Sequence, residues 1–137
     1  MSEPGESENL RLAKLFFELW NAGVREIDEE LTDPEIELHT PISSTRGAPY
    51  RGYDGVRQWL ADIGDQFEEW SSEVPKFIDL GDNRVLCLGK LHLRGRGSGV
   101  EFDQEMAWLI TFRDGRFLRY EVFTGHDEAR RAVGPEP

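Results

Sequence analysis

Hydrophobic positions in the first half of the chain recur at helical spacing. In residues 9–22, Leu12, Leu15, Phe16, Leu19 and Trp20 fall three and four residues apart and stripe one face. Gly23 follows directly and suits the left-handed position after a helix. Val24, Ile27 and Leu31 predict a shorter second helix over 24–31, stopped by Thr32-Asp33-Pro34. Residues 35–40 alternate, Ile36 and Leu38 against Glu37 and His39, as a half-buried strand does. The stretch 43–52, with its Ser, Gly and Pro, predicts a loop, and Asp54 an N-cap. Val56, Trp59, Leu60, Ile63, Phe67 and Trp70 then form the strongest helical stripe, with Gly64 inside it predicting close packing.

After Ser72 the period changes to two. Strands are predicted over 74–80, 84–94, 100–112 and 117–124. Gly81-Asp82-Asn83, the glycine-rich stretch 95–99 and Asp114-Gly115 supply the turns. Pro75 lacks a ladder donor and marks a sheet edge. A short helix over 126–133 closes the pattern. Helices first and a meander afterwards predict an α+β fold, a curved antiparallel β-sheet wrapped around the long helix as a cone. Three helices belong to the N-terminal half and a short one to the C-terminus. A single domain covers 9–133, between polar tails at 1–8 and 134–137.

Charge narrows the function. The chain has 137 residues with 16 basic and 27 acidic side chains, a net charge of −11. That balance argues against a nucleic-acid-binding face and against docking on an anionic membrane surface. Four Trp within 38% hydrophobic residues indicate a packed core rather than a disordered chain. The sequence contains no run of about 18 apolar residues. The start is acidic rather than basic-then-apolar, so neither a signal peptide nor a span is expected and the location expected is cytoplasmic. The lone Cys87, within Val85-Leu86-Cys87-Leu88, reads as a small buried hydrophobe. His39, His92 and His126 show no metal-ligand spacing, so no metal and no cofactor are expected. Lys90, His92, Arg94 and Arg96 form a basic row, read as a solvated or dimer-rim face and alternatively as a wall for an anionic ligand.

Trp20-Asn21-Ala22-Gly23, the strand end Leu38-His39-Thr40-Pro41 and the helix entry Arg51-Gly52-Tyr53-Asp54-Gly55-Val56 resemble the SnoaL-like family. The strand pair through Thr111-Phe112-Arg113-Asp114-Gly115-Arg116 to Tyr120 does so too. That family lies in the nuclear transport factor 2-like superfamily, whose polyketide cyclases, ketosteroid isomerases, epoxide hydrolases and scaffold domains share a cystatin-like α+β barrel. The resemblance implies a conical cavity and a homodimer through the outer sheet face. It places Phe16, Trp20 and Trp59 from the helices and Leu38 and Thr40 from the first strand at the cavity. Gln104, Met106 and Trp108, which alternation puts on one strand face, and Tyr120 complete this ligand-binding set. The partner implied is a small, largely apolar or aromatic molecule.

Catalysis is the competing reading. The isomerase branch needs a carboxylate where Thr40 stands, a Tyr where Phe16 stands and an Asp where Trp108 stands, so that mechanism is excluded. An epoxide hydrolase would need an Asp-Arg-Asp set, for which Asp103, Arg94 and Arg96 are available. A cyclase would use a carboxylate such as Asp103 or Glu105, although Gly125 stands where many relatives carry Asp. Asp103, Glu105 and His39 are therefore the candidate acid/base groups, with alternation setting His39 opposite Leu38 and Thr40. A third reading is an association module whose outer face, with Phe117 and Phe123, binds a copy of itself or another protein.

Overall fold

The computed structural model describes residues 7–134. Helix α1 (Glu8–Asn21) is capped by the Ser7 hydroxyl, which accepts from the Leu10 N–H at 3.1 Å. Strand β1 (Thr32–His39), helix α2 (Pro41–Arg46) and the two-residue strand β2 (Tyr50–Arg51) follow, then helix α3 (Gly52–Gln66). Strands β3 (Phe67–Asp79), β4 (Arg84–Gly95), β5 (Glu101–Arg113) and β6 (Arg116–Phe123) and helix α4 (His126–Val133) complete the chain.

The strands form one six-stranded sheet in the order β2-β1-β6-β5-β4-β3. Pairing is antiparallel except between β1 and β6, which run parallel with Leu38 opposite Tyr120. The sheet curves without closing, and its inner face meets α1 and α3 in the main core. Val85, Cys87, Leu91 and Leu93 of β4 point into that core, as do Met106, Trp108, Ile110 and Phe112 of β5. The alternate residues Leu86, Leu88, Ala107 and Leu109 point outward, where Ala129 of α4 covers them.

Four local differences from the sequence expectation shape the site. Residues 24–31 are not helical. Glu26, Asp28, Glu29 and Glu30 crowd carboxylates into this stretch, with Glu26 and Glu30 at the repulsive i,i+4 spacing. The Asp28 carboxylate instead accepts from the Glu30 N–H at 3.0 Å, holding a turn. The expected loop over 43–52 contains α2 and β2. Thr40 caps α2, its hydroxyl accepting from Ser43 N–H while Ser43 Oγ accepts from Thr40 N–H, and Pro41 takes the first turn. Gly47, at φ 86°, ends it in the left-handed region that glycine tolerates.

The long helix starts at Gly52, with Asp54 in its first turn rather than at its cap, and stops at Gln66. Phe67 and Trp70 therefore belong to β3, where they still pack against the core. Gly64 is not a close contact, since a Cβ there would meet nothing within 4 Å. Close approach occurs at Gly89 instead. A Cβ at that position would lie 2.0 Å from the Glu73 carbonyl oxygen, beside the irregularity around Pro75 in the β3–β4 ladder.

Candidate functional site

A cavity of about 140 Å³ lies between α1, α3, the 24–31 loop and the β1–β6 pair. Phe16, Trp20, Trp59 and Tyr120 line it and touch in a closed circuit. Ring centroids are 6.2 Å apart for Phe16–Trp20, 5.5 Å for Trp20–Trp59, 5.6 Å for Trp59–Tyr120 and 5.3 Å for Tyr120–Phe16. Offset and edge contacts of this kind add roughly 0.5–1.5 kcal/mol each beyond area burial. Leu38 completes the part of the lining expected from sequence.

Helical spacing explains Phe16 and Trp20, four residues apart on α1, and Trp59 on the facing side of α3. Tyr120 comes from β6, and Leu38 lies opposite it on β1. Burial pushes the Tyr120 phenol well above its ordinary pKa, with the Cys87 thiol adding to the rise and a hydrogen bond from the Trp108 indole opposing it. The Cys87 thiol is itself pushed up by burial, which keeps it protonated and unreactive.

Other members of the expected ligand-binding set lie elsewhere. Met106 and Trp108 are core residues of β5; Trp108 packs edge-on against Phe17, with centroids 5.0 Å apart. Gln104 turns its amide to the carbonyls of Glu105 and Thr124, each at 3.3 Å. The Thr40 hydroxyl is committed to capping α2.

All three acid/base candidates stand on the outer face, away from the cavity. Asp103 is half-exposed and accepts from His92 Nδ1 at 2.8 Å. This hydrogen bond holds the Asp103 carboxyl below its usual range and raises His92 above 6.5. The Glu105 carboxylate caps α4 from the neighbouring strand, accepting from the His126 N–H at 3.0 Å where Gly125 has no side chain to do so. His39 sits 2.9 Å from Glu37, facing away from Leu38 and Thr40. The reason is strand parity: the alternation that buries Met106 and Trp108 turns Asp103 and Glu105 outward.

The basic row faces the same way. Lys90 lies 3.5 Å from Glu73 and 3.7 Å from Asp103, and Arg94 lies 2.8 Å from Glu69. Acidic residues on β3 and β5 thus flank it in cross-strand pairs. Glu69, His92 and Glu101 bring potential metal-ligating atoms within 4.8 Å of one another, the one such group among the described residues. Arg94, 3.8 Å from Glu101 as well, supplies positive charge there. Arg96 bonds instead to the Gly64 carbonyl at 2.8 Å.

Sequence reasoning missed much of the cavity wall, including Leu15, Ile36, Val56 and Leu60 beside the expected residues. The 24–31 loop contributes Val24, Arg25, Glu26, Ile27, Asp28 and Leu31. Phe117, expected outside, points inward against Phe16, with centroids 6.0 Å apart, because the ladder slips one residue beside Phe112. Phe123 stays outward, beneath α4.

The sequence profile of the SnoaL-like domain matches residues 13–120, from α1 to the Tyr120 that closes the aromatic circuit. The chain belongs to the SnoaL-like family. Solved structures agree with the SnoaL-like assignment at the level of fold. A nuclear transport factor 2-like protein of unknown function from Burkholderia pseudomallei K96243 superposes with a TM-score of 0.78 at 17% identity, covering 95% of this chain and 100% of that one. TerC, co-crystallised with polyporic acid, gives 0.75 at 19% identity over 93% and 98% of the two chains. A protein of Jannaschia sp. CCS1 assigned to the SnoaL-like polyketide cyclases gives 0.74 at 20% identity over 100% and 99%. A search of curated protein sequences gives no match. No helix among the described residues of this SnoaL-like chain is long and apolar enough to cross a membrane.

Proposed function

We propose that this SnoaL-like protein holds a small, largely apolar molecule in the cavity between α1, α3 and the sheet. The observation that carries this reading is the lining: four aromatic rings in mutual contact around a space of about 140 Å³. An engineered apolar cavity of about 150 Å³ takes up benzene, so the space suits a single ring better than a fused polycycle. The co-crystallisation of TerC with polyporic acid supports a small-molecule role for the fold.

A cofactor-free enzyme would need an ionisable group facing the bound molecule. The outward placement of Asp103, Glu105 and His39 gives that alternative no support from those residues. We also propose a homodimer through the outer sheet face, where Leu118 and Thr111 lie in a groove between Glu35, Glu37, Arg119 and Glu121. A cytoplasmic location remains a proposal from the sequence, tested by cell fractionation.

Thermal unfolding with single-ring ligands tests the cavity. At 100 times its dissociation constant a ligand stabilises by about 2.7 kcal/mol, a rise on the order of 10 °C for a domain of this size. Val56→Phe, which places a ring at the cavity wall, is expected to abolish the shift. Unchanged unfolding temperatures across single-ring and polycyclic compounds would overturn the reading.

A further inference from the structure

Among the described residues, Arg25 is the one basic residue lining the cavity. Its guanidinium lies over the Trp20 ring, 3.7 Å from the centroid. Nη1 donates to the carbonyls of Trp20 and Val24, and Nη2 donates to the Trp70 carbonyl at 3.2 Å. Trp20 Nε1 donates to that same Trp70 carbonyl at 3.0 Å, so both members of the Arg25–Trp20 stack share one acceptor on β3. No carboxylate of the described residues lies within 4.0 Å of Arg25, although acidic residues outnumber basic ones 27 to 16.

The two carboxylates nearest along the chain do not fill that place. Asp28 accepts from the Glu30 N–H, and Glu26 forms no ion pair with the guanidinium. Other arginines divide between the two arrangements: Arg57 meets Glu29 at 2.9 Å and Arg113 meets Asp33 and Glu35 at 2.9 Å, whereas Arg46 and Arg96, like Arg25, donate to backbone carbonyls. Partial desolvation lowers the Arg25 pKa, although the residue as a whole is exposed. Its Nε makes no hydrogen bond to the described residues. An arginine offers a planar fork of donors matched to a carboxylate; with Nη1 and one Nη2 hydrogen serving backbone carbonyls, Nε and the second Nη2 hydrogen of Arg25 are left for a ligand, and the residue lines an apolar space of single-ring size.

We infer that Arg25 makes this cavity selective for a single-ring monocarboxylate, the ring held among Phe16, Trp20, Trp59 and Tyr120 and the carboxylate at the guanidinium. The inference rests on the cavity reading above and adds the charge of the ligand to it. The ring accounts for the aromatic wall, and the carboxylate supplies the ion-pair partner that no described residue gives Arg25. Glu26 and Asp28, exposed and lining the same cavity, repel anions, so the guanidinium has to outweigh them for a carboxylate to bind.

Benzoate and benzamide, alike in size and shape, separate charge from fit. Calorimetric titration of the wild-type protein is expected to give at least tenfold tighter binding of benzoate. Arg25→Gln should bring the ratio close to one by weakening benzoate far more than benzamide, and Arg25→Lys should retain part of the preference. Equal wild-type affinities would overturn the charge inference and leave the cavity reading standing. Loss of both ligands together in Arg25→Gln would also overturn it, since Arg25 would then act only by holding the 24–31 loop. Failure of the wild-type protein to bind either compound would overturn this inference. The cavity reading would fall with it only if the wider ligand panel also failed.

Discussion

His92 and Asp103 form a two-way electrostatic contact whose pH behaviour follows from its geometry. The Asp103 carboxylate accepts from His92 Nδ1, and Glu101 and Glu69 add negative charge on the Nε2 side at 3.9 Å each. His92 is raised above 6.5, so its contribution is fully present below about pH 6.5 and is lost as pH rises through the folded value. Asp103 is lowered below 3.8, so its contribution is present above about pH 3.8 and is lost as pH falls through the folded value. The pair is therefore most effective between about pH 4 and 6.5. Proton NMR titration should find His92 above 6.5 in the wild type and closer to 6.5 in Asp103→Asn. A wild-type His92 titrating at or below 6.5 would show that the contact does not form in solution. Because both groups are exposed, salt should weaken the effect.

Residue chemistry also accounts for where the candidate acids stand. Glu105 replaces an absent side-chain cap on α4, and Asp103 belongs to a cross-strand charge ladder. Both roles keep the carboxylate in contact with a cross-strand partner or a backbone N–H. Neither role brings the carboxylate near the aromatic cavity.

At the scale of elements, the β3–β4 pair depends on Gly89. Pro75 cannot donate to the ladder, and the strands come close enough at this irregularity that no side chain fits at Gly89. Gly89→Ala is expected to destabilise by about 3 kcal/mol or more, because the obstacle is the Glu73 backbone rather than a flexible side chain. Gly64→Ala serves as the control: with open space around its Cβ and a helical position, it should be neutral or stabilise by up to about 1 kcal/mol. Urea unfolding of both variants measures the contrast, and similar midpoints would contradict the packing described.

The 24–31 loop shows how an element can be misread. Its Val24, Ile27 and Leu31 have helical spacing, yet the acidic residues between them repel, and the segment gains more by laying Ile27 and Leu31 against the cavity. The α2 helix is the converse, hidden in a Ser- and Pro-rich stretch. Its Thr40-Pro41 start, Ser43 and Gly47 are all capping signals visible in the sequence.

Across the whole molecule, charge is dispersed over the outer sheet face rather than gathered into one patch. Around the groove beside Leu118, Arg119 meets Glu121 at 3.0 Å while Glu37 meets His39 and Arg51. A symmetric partner would have to accommodate these polar groups. Sedimentation equilibrium should therefore find a dimer that Leu118→Glu dissociates, whereas a wild-type monomer at tens of micromolar would remove the dimer proposal. The cavity lies on the opposite face of the sheet, so Leu118→Glu should leave ligand binding intact.

The sequence by itself determined the helical and strand segments whose information is local: the stripes of α1 and α3, the two-residue period of the last four strands and the turns between them. Its alternation also separated Met106 and Trp108 from Asp103 and Glu105, since adjacent strand residues face opposite sides. Tertiary structure alone decided which buried aromatics border empty space and which fill the core. Trp108 and Trp59 are equally apolar in the sequence, but one packs against Phe17 and the other faces a gap between α1, α3 and β6. That gap, and the approach of Arg25 to Trp20 and the Trp70 carbonyl, depend on distances between elements remote along the chain. Hydrophobic periodicity records which face is buried; it carries no measure of how completely the opposing surfaces meet.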